Sequence, residues 1–367
     1  MRVKKLLKVM ISIILSVVML FFLIIIRFYG IKIVDTTQQS RRLKELKLYY
    51  ESETFIPNDD QEFADFDLND ETIKLNDIKM LASHNSYKKN STALGRFFVK
   101  LGSSKAEADA LNYEYKTLTD QFRAGIRSME FDLRLRKTQF TLTHVPLVDN
   151  SSVAPDFSMA LEEIALYSLN NPNHVPIIIL MEIKDDWMIL DHALQKIDQD
   201  KLIILNTLIK EKLGERLFQP HELIEENKTL KETINESGWP SLSSLRGKVI
   251  MVLHPGGFTS EYVDIDPTLL ELAMFPSVYA DQVTRDYTAF VVENNPESTQ
   301  IPVLINQNYI VRTRIDSDLY FTNELMQSAL LSGAQILTSD YTIARSDLSV
   351  TQMIYLATNK TVIRRTS

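Results

Sequence analysis

A chain of 367 residues, 45% hydrophobic and 24% charged, can build one large core and still carry an appendage. Its formal charge of −8, with no long basic stripe and no glycine-rich phosphate loop, excludes an electrostatic grip on nucleic acid. Without a single cysteine, disulfides and thiolate metal sites are excluded as well.

At the amino terminus Arg2, Lys4, Lys5 and Lys8 precede an uncharged stretch from Val9 to Ile26, closed by Arg27. As a helix these residues rise about 27 Å, enough to span a bilayer. The following Phe28-Tyr-Gly-Ile-Lys-Ile-Val34 offers no small-residue cleavage pattern. Residues 1–27 therefore read as an uncleaved signal anchor, a single pass through a bacterial cell membrane with the rest of the chain outside. Lys32, Arg41, Arg42 and Lys44 beyond the span weaken the charge bias that sets this orientation.

Residues 28–77 read as an extracytoplasmic stalk. Ser40–Ser52 suits a short helix, and a solvated acidic linker follows with Asp59, Asp60, Glu62, Asp65, Asp67, Asp70 and Glu71. Asp65-x-Asp67-x-Asn69 opens like an EF-hand loop, but Asp70 stands where glycine is required and Asn76 where the closing glutamate belongs. That motif is rejected.

From residue 78 to 367 strand-like and helix-like runs alternate. Strands are expected near 78–84, 126–132, 139–144, 176–182, 248–254, 278–282, 303–313 and 335–340. Helices are expected near 114–124, 157–170 and 188–213. Eight strand candidates separated by helices predict an α/β fold closed as a TIM-type barrel.

Four short pieces then stand out, each closing a strand-like run: His84-Asn85, Glu130-x-Asp132, His144 and Glu182-x-Lys184. The carboxyl ends of parallel barrel strands meet at one mouth, so these pieces converge. Glu130 and Asp132 share a strand face, as do Glu182 and Lys184. Three carboxylates aimed at one mouth repel one another unless a cation intervenes. With the Asn85 amide they make an oxygen set suited to Ca²⁺ or, less well, Mg²⁺, unless Arg127, Arg134, Arg136 or Lys184 neutralises them instead. His84 and His144 can exchange protons near neutral pH. His254 ends another strand and can reach the mouth, whereas His174, preceding its strand, belongs to the opposite face and His192 and His221 lie in helical or linker stretches.

Ser83-His-Asn-Ser-Tyr87, Asp120-Gln-Phe-Arg-Ala-Gly-Ile-Arg-Ser-Met-Glu-Phe-Asp132, His144 with Pro146-Leu147, and His174-Val-Pro-Ile-Ile-Ile-Leu-Met-Glu-Ile-Lys184 resemble the phosphatidylinositol-specific phospholipase C superfamily. Gly238–Lys248, Val311–Asp316 and Ser332–Tyr341 resemble its calcium-dependent bacterial branch, so the likeness covers about residues 78–345. The resemblance implies a distorted β/α barrel cleaving a membrane phospholipid between glycerol and phosphate. It implies His84 and His144 as the catalytic pair and Asn85, Glu130, Asp132 and Glu182 as ligands of Ca²⁺. Lys184, Arg312, Arg314 and Tyr341 are candidates for holding phosphate or the inositol ring. Lys88–Asn112 looks longer or more diverged than in relatives and bears on the rim. A glycerophosphodiester phosphodiesterase is the nearest rival; it usually carries arginine after its first histidine, where this chain has Asn85. A catalytically inactive, membrane-tethered binding module is a second rival. Nothing in the sequence points to a protein partner.

Overall fold

The computed structural model describes residues 2–317 and 319–365. In chain order its strands are β1 (Ile78–Ser83), β2 (Ser128–Arg136), β3 (Gln139–Leu142), β4 (Ile177–Ile183), β5 (Leu194–Gln195), β6 (Val249–Leu253), β7 (Met274–Tyr279), β8 (Phe290–Val292), β9 (Ile310–Arg314), β10 (Ile336–Ser339) and β11 (Val362–Arg364). β1, β2, β4, β6, β7, β8, β9 and β10 pair in that order, all parallel, and β10 pairs again with β1. The barrel is closed. In β4 the run Ile177-Ile-Ile-Leu-Met181 is apolar on both faces and buried throughout, because helices cover the outside while side chains fill the inside.

Three strands lie off the barrel. β3 and β5 run antiparallel along β2, and β11 runs antiparallel along β1. The run 139–144, expected as a barrel strand, is thus the second arm of a hairpin. Only Lys137 and Thr138 separate it from β2, and Lys137 turns with a φ of 55°. A parallel neighbour would need a crossover of about a dozen residues. The eighth barrel strand is β8, whose three residues are too few to show a periodicity. The 303–313 strand begins only at Ile310, since Gln300–Asn306 is helical with Pro302 in the first turn, where its missing N–H costs nothing.

The stalk expected over residues 28–77 is not observed. Helix α1 runs unbroken from Arg2 to Tyr50, and its second half packs on the barrel. Phe28, Asp35, Gln39, Leu43, Leu46 and Tyr50 follow helical spacing along one buried face. Gln39 donates to the Asp156 carbonyl and accepts from the Asp156 amide, both at 2.9 Å. Arg42 pairs with buried Glu163 at 2.9 Å and also donates to the Val153 carbonyl. The first half includes a stretch apolar enough to cross a membrane, none of it buried against the rest of the protein.

The acidic segment after α1 is not a solvated linker either. Leu68, Ile73 and Leu75 are buried, and Asp60 sits beneath the barrel against Arg127, the residue before β2. Arg127 donates its Nε to Asp60 at 2.7 Å and adds a second bond from Nη2, while the Val175 amide donates to the same carboxylate at 2.7 Å. Both partners are buried, so removing one strands the other's charge. Asp60→Ala is expected to cost about 3–5 kcal/mol, read as a lowered midpoint in urea unfolding; a midpoint within error of wild type would show that this ion pair does not hold the lower end of the barrel.

Candidate active site

β1 ends in Ser83, and the chain turns sharply through Asn85, which adopts a left-handed φ of 48°. The turn presents His84 at the mouth. Asp340, directly after β10, accepts from His84 Nδ1 at 2.9 Å, which leaves Nε2 facing away from that partner. Arg314, ending β9, stands 3.4 Å from Asp340 and 3.5 Å from His84 Nδ1. Burial pushes the Asp340 carboxyl up, but the adjoining His84 and Arg314 outweigh it and hold it below the carboxylate range. Beneath it Asp316 accepts from the Asp340 amide at 2.9 Å and from Ser339 Oγ. Burial and the Asp340 charge raise Asp316 to about 7.

Glu130 and Asp132 share one face of β2, and Asp132 lies level with Glu182 on β4. Arg312 on β9 grips Glu130 with both prongs, Nε to Oε1 at 2.6 Å and Nη2 to Oε2 at 2.8 Å. Thr338 donates to the same Oε1 at 2.9 Å. Burial alone would raise the Glu130 carboxyl, but the Arg312 fork, with His84 and Arg314 behind it, holds it below its ordinary value. Tyr87 donates to Asp132 at 2.9 Å. Lys184 pairs with Glu182 at 2.7 Å; burial lowers the ammonium, and Asp132 and Glu182 more than restore it.

His144 sits on the loop after β3, two residues beyond its last strand residue Leu142. Its Nε2 lies 4.0 Å from Asp132 and its Nδ1 lies 3.8 Å from Asp149, too far for hydrogen bonds. Burial lowers its pKa, and the two carboxylates pull the other way. Asp149 is held by buried Lys88 and by Ser91. These contacts root the diverged 88–112 stretch, which forms two short helices, α2 (Ala93–Gly102) and α3 (Lys105–Ala110), over the mouth. At Gly95 the α2 backbone comes so close that an added Cβ would lie 2.1 Å from the Val148 carbonyl oxygen.

His84, Asn85, His144, Lys184 and Asp340 line one cavity of about 520 Å³. Two expected ligand-holding side chains are committed elsewhere: Arg312 to Glu130, and the Tyr341 hydroxyl to the Leu319 carbonyl at 2.6 Å. Arg127 and Arg134 do not neutralise the three carboxylates; Arg127 serves Asp60, and Arg134 reaches Asp186 and the His144 carbonyl. His254 is at the mouth, edge-on to Tyr279, with burial lowering its pKa against the pull of Glu182. His174 is buried at the far end and bonded to Ser168 and Val175. The sequence does not single out Asp340, Asp149 or Asp316 as site residues, although Asp316 and Asp340 lie in the family-like stretches Val311–Asp316 and Ser332–Tyr341 and follow β9 and β10.

A family model described as phosphoinositide phospholipase C, Ca²⁺-dependent, matches residues 73–135 and 133–365. The chain belongs to this calcium-dependent phosphoinositide phospholipase C family. Among solved structures, the myo-inositol complex of a calcium-dependent phosphoinositol-specific phospholipase C from Pseudomonas sp. matches with a TM-score of 0.59 at 16% identity, over 84% of this chain and 100% of that one. A calcium-dependent phosphatidylinositol-specific phospholipase C from Streptomyces antibioticus matches with a TM-score of 0.54 at 18% identity, over 73% and 95% of the two chains. At these identities the structures establish the barrel. No curated protein matches.

The family's description names calcium, and the donor types at the mouth, three carboxylates and an amide, suit a hard cation. In the structure these carboxylates are engaged within the chain. Both oxygens of Glu130 are engaged by Arg312, Lys184 holds Glu182, and Tyr87 holds Asp132. Among the described residues no three His, Asp or Glu side chains converge on a point where a metal would sit. In this phospholipase C-family barrel Glu130 and Glu182 pair with the chain's own cations, and Asp132 with the Tyr87 hydroxyl.

The long contacts around His144 make its proton affinity depend on nearby charge rather than on a bond. Asp149→Asn removes a favourable charge 3.8 Å from Nδ1 and leaves Lys88 unopposed, and both changes disfavour the imidazolium. Where protonated His144 is needed, the alkaline limb of the kcat/KM profile is expected to move to lower pH in this variant. An unmoved limb would exclude Asp149 as the group that sets it.

Proposed function

We propose that the protein is a membrane-anchored phosphodiesterase that cleaves phosphatidylinositol, or a related inositol phospholipid, to diacylglycerol and inositol cyclic phosphate. One observation carries this reading: two histidines with different surroundings, His84 bonded to Asp340 and His144 poised between two carboxylates, line the same cavity. Asp340 fixes Nδ1 of His84, so Nε2 is the atom that takes the proton from the inositol 2-hydroxyl. The 2-oxygen forms its bond to phosphorus while the bond to the glycerol oxygen breaks. His144 delivers a proton to that departing oxygen, completing the balance. Lys184 and Arg314 supply positive charge beside the phosphate, and the buried Arg312–Glu130 fork stiffens the floor under it. The apolar half of α1 anchors the chain in a cell membrane, with the barrel on the extracytoplasmic side.

The two histidines are distinguishable by leaving group. His84→Ala and His144→Ala are each expected to lower turnover by roughly a hundredfold or more. A substrate whose leaving group needs no proton should restore His144→Ala far more than His84→Ala. Equal restoration would overturn the assigned roles. Phosphorus NMR of the first turnovers is expected to show the five-membered cyclic phosphate before any open monophosphate, and the reverse order would remove the 2-hydroxyl from the mechanism.

Calcium and Arg312 address the same carboxylate, so they compete. Arg312→Met leaves Glu130 buried without a counter-charge, a loss of about 3–5 kcal/mol. Its melting temperature is expected to fall in chelator and to recover with added Ca²⁺ by more than wild type gains. The same calcium response in both proteins would show that the two cations do not share Glu130.

A further inference from the structure

The cavity that holds the two histidines does not end at the barrel. It continues between α1 and α2, and its far walls are apolar. Phe21, Ile24, Ile25 and Phe28 line one wall, at the i, i+3, i+4 and i+7 spacing that makes a single stripe along a helix. Phe98 and Val99 of α2 line the other, and Phe28 meets Phe98 edge-to-face at 6.3 Å, closing the seam between them. The floor is polar and carries the reacting groups, His84, His144 and Lys184. One end of this space therefore suits an anionic phosphodiester and the other suits hydrocarbon.

The α1 wall is fixed in place. Tyr29 donates to Asp191 at 3.1 Å, Lys89 pairs with Asp35 at 2.8 Å, and Gln39 and Arg42 clamp the next two turns. The stripe also runs without interruption into the exposed apolar stretch, where Met19, Leu20, Phe21 and Phe22 are uncovered. The groove thus opens on the surface of α1 that the anchoring reading places among lipid tails.

We propose that α1 is part of the substrate site: its Phe21–Phe28 stripe and α2 hold an acyl chain of a phospholipid that enters sideways from the bilayer, while its phosphodiester reaches His84 and His144. This rests on the phosphodiesterase and anchoring readings above. A lipid taking this path keeps its hydrocarbon out of water throughout. A dry helix–helix seam, occupied by nothing, is the outcome that the following test separates from it.

The full chain is reconstituted in phosphatidylcholine bilayers containing phosphatidylinositol, and kcat/KM is compared with that on glycerophosphoinositol, which has no acyl chain. Two variants fill the groove. Ile24→Trp enlarges the α1 stripe, and Gly102→Phe adds a side chain where a Cβ meets no atom within 4 Å, so folding tolerates it. The ratio of the two kcat/KM values is expected to fall at least tenfold in both, and to stay at the wild-type value in Leu23→Trp, on an exposed face of α1. An unchanged ratio in both filling variants overturns the proposal. A second readout needs no turnover: Trp187 lines the groove, and the chain's other tryptophan, Trp239, is buried in the core. In His144→Ala, brominated-chain phosphatidylinositol is expected to quench Trp187 at least twofold more than brominated-chain phosphatidylcholine does. Equal quenching overturns the proposal. Selective quenching by a wild type that cleaves neither substrate would keep the groove and refute the chemistry.

Discussion

Six carboxylates crowd the carboxyl end of the barrel, and everything built there depends on how their charge is balanced. Arg312 takes Glu130, Lys184 takes Glu182, Lys88 takes Asp149, and Arg314 stands beside Asp340. Asp132 accepts from the Tyr87 hydroxyl, with His144 Nε2 4.0 Å away, and Asp316 accepts from Ser339. Repulsion among buried like charges is among the largest energies available inside a protein. Each matched pair thus fixes a strand end as well as a charge: the Arg312 fork ties β9 to β2 across the barrel interior, and Asp340 ties the end of β10 to the end of β1.

This balance explains the unlike surroundings of the two histidines. His84 receives a short, direct bond, so its ring is oriented. His144 receives two carboxylates at about 4 Å and no bond, so its charge state is biased while its ring stays free of a fixed partner. The same turn chemistry recurs at the rim, where Asn85, Leu147 and Trp187 all adopt positive φ. Such conformations are disfavoured for residues other than glycine and persist only where packing imposes them. At Asn85 the imposing contacts are evident: the Ser86 amide donates to the Glu130 carbonyl, and Ser86 Oγ bonds Ser83.

Much of this was legible in the residues. β1 and β4 do end beside His84 and Glu182, whereas β2 runs past Glu130 and Asp132 to Arg136, and helix 157–170 lies where its spacing put it. Barrel closure was inferred from eight strands, but the set was different: β3 was counted in and β8 left out. Local pattern tells a strand from a helix; it does not reveal which neighbour a strand chooses, and a two-residue connection forces the antiparallel choice for β3. The acidic segment misled for a related reason. Its composition is that of a solvated linker, and only Arg127, 67 residues away, turns Asp60 into a buried structural group. Arg312 and Tyr341 illustrate the same point at the site, because a cation or hydroxyl near a mouth is available to a ligand only if no neighbour has claimed it.

A tether and a lever are different mechanical objects, and α1 is a lever. A flexible stalk over residues 28–77 would let the barrel take any orientation, with the mouth facing an attached surface only part of the time. The unbroken helix, about 74 Å long for 49 residues, removes that freedom. Gln39 and Arg42 set the rotation of the barrel about the rod, and the stripe of Phe21 to Phe28 sets where the mouth sits along it. The attitude of the mouth and the tilt of the apolar half are consequently a single variable. Whatever leans the rod leans the barrel mouth with it by the same angle.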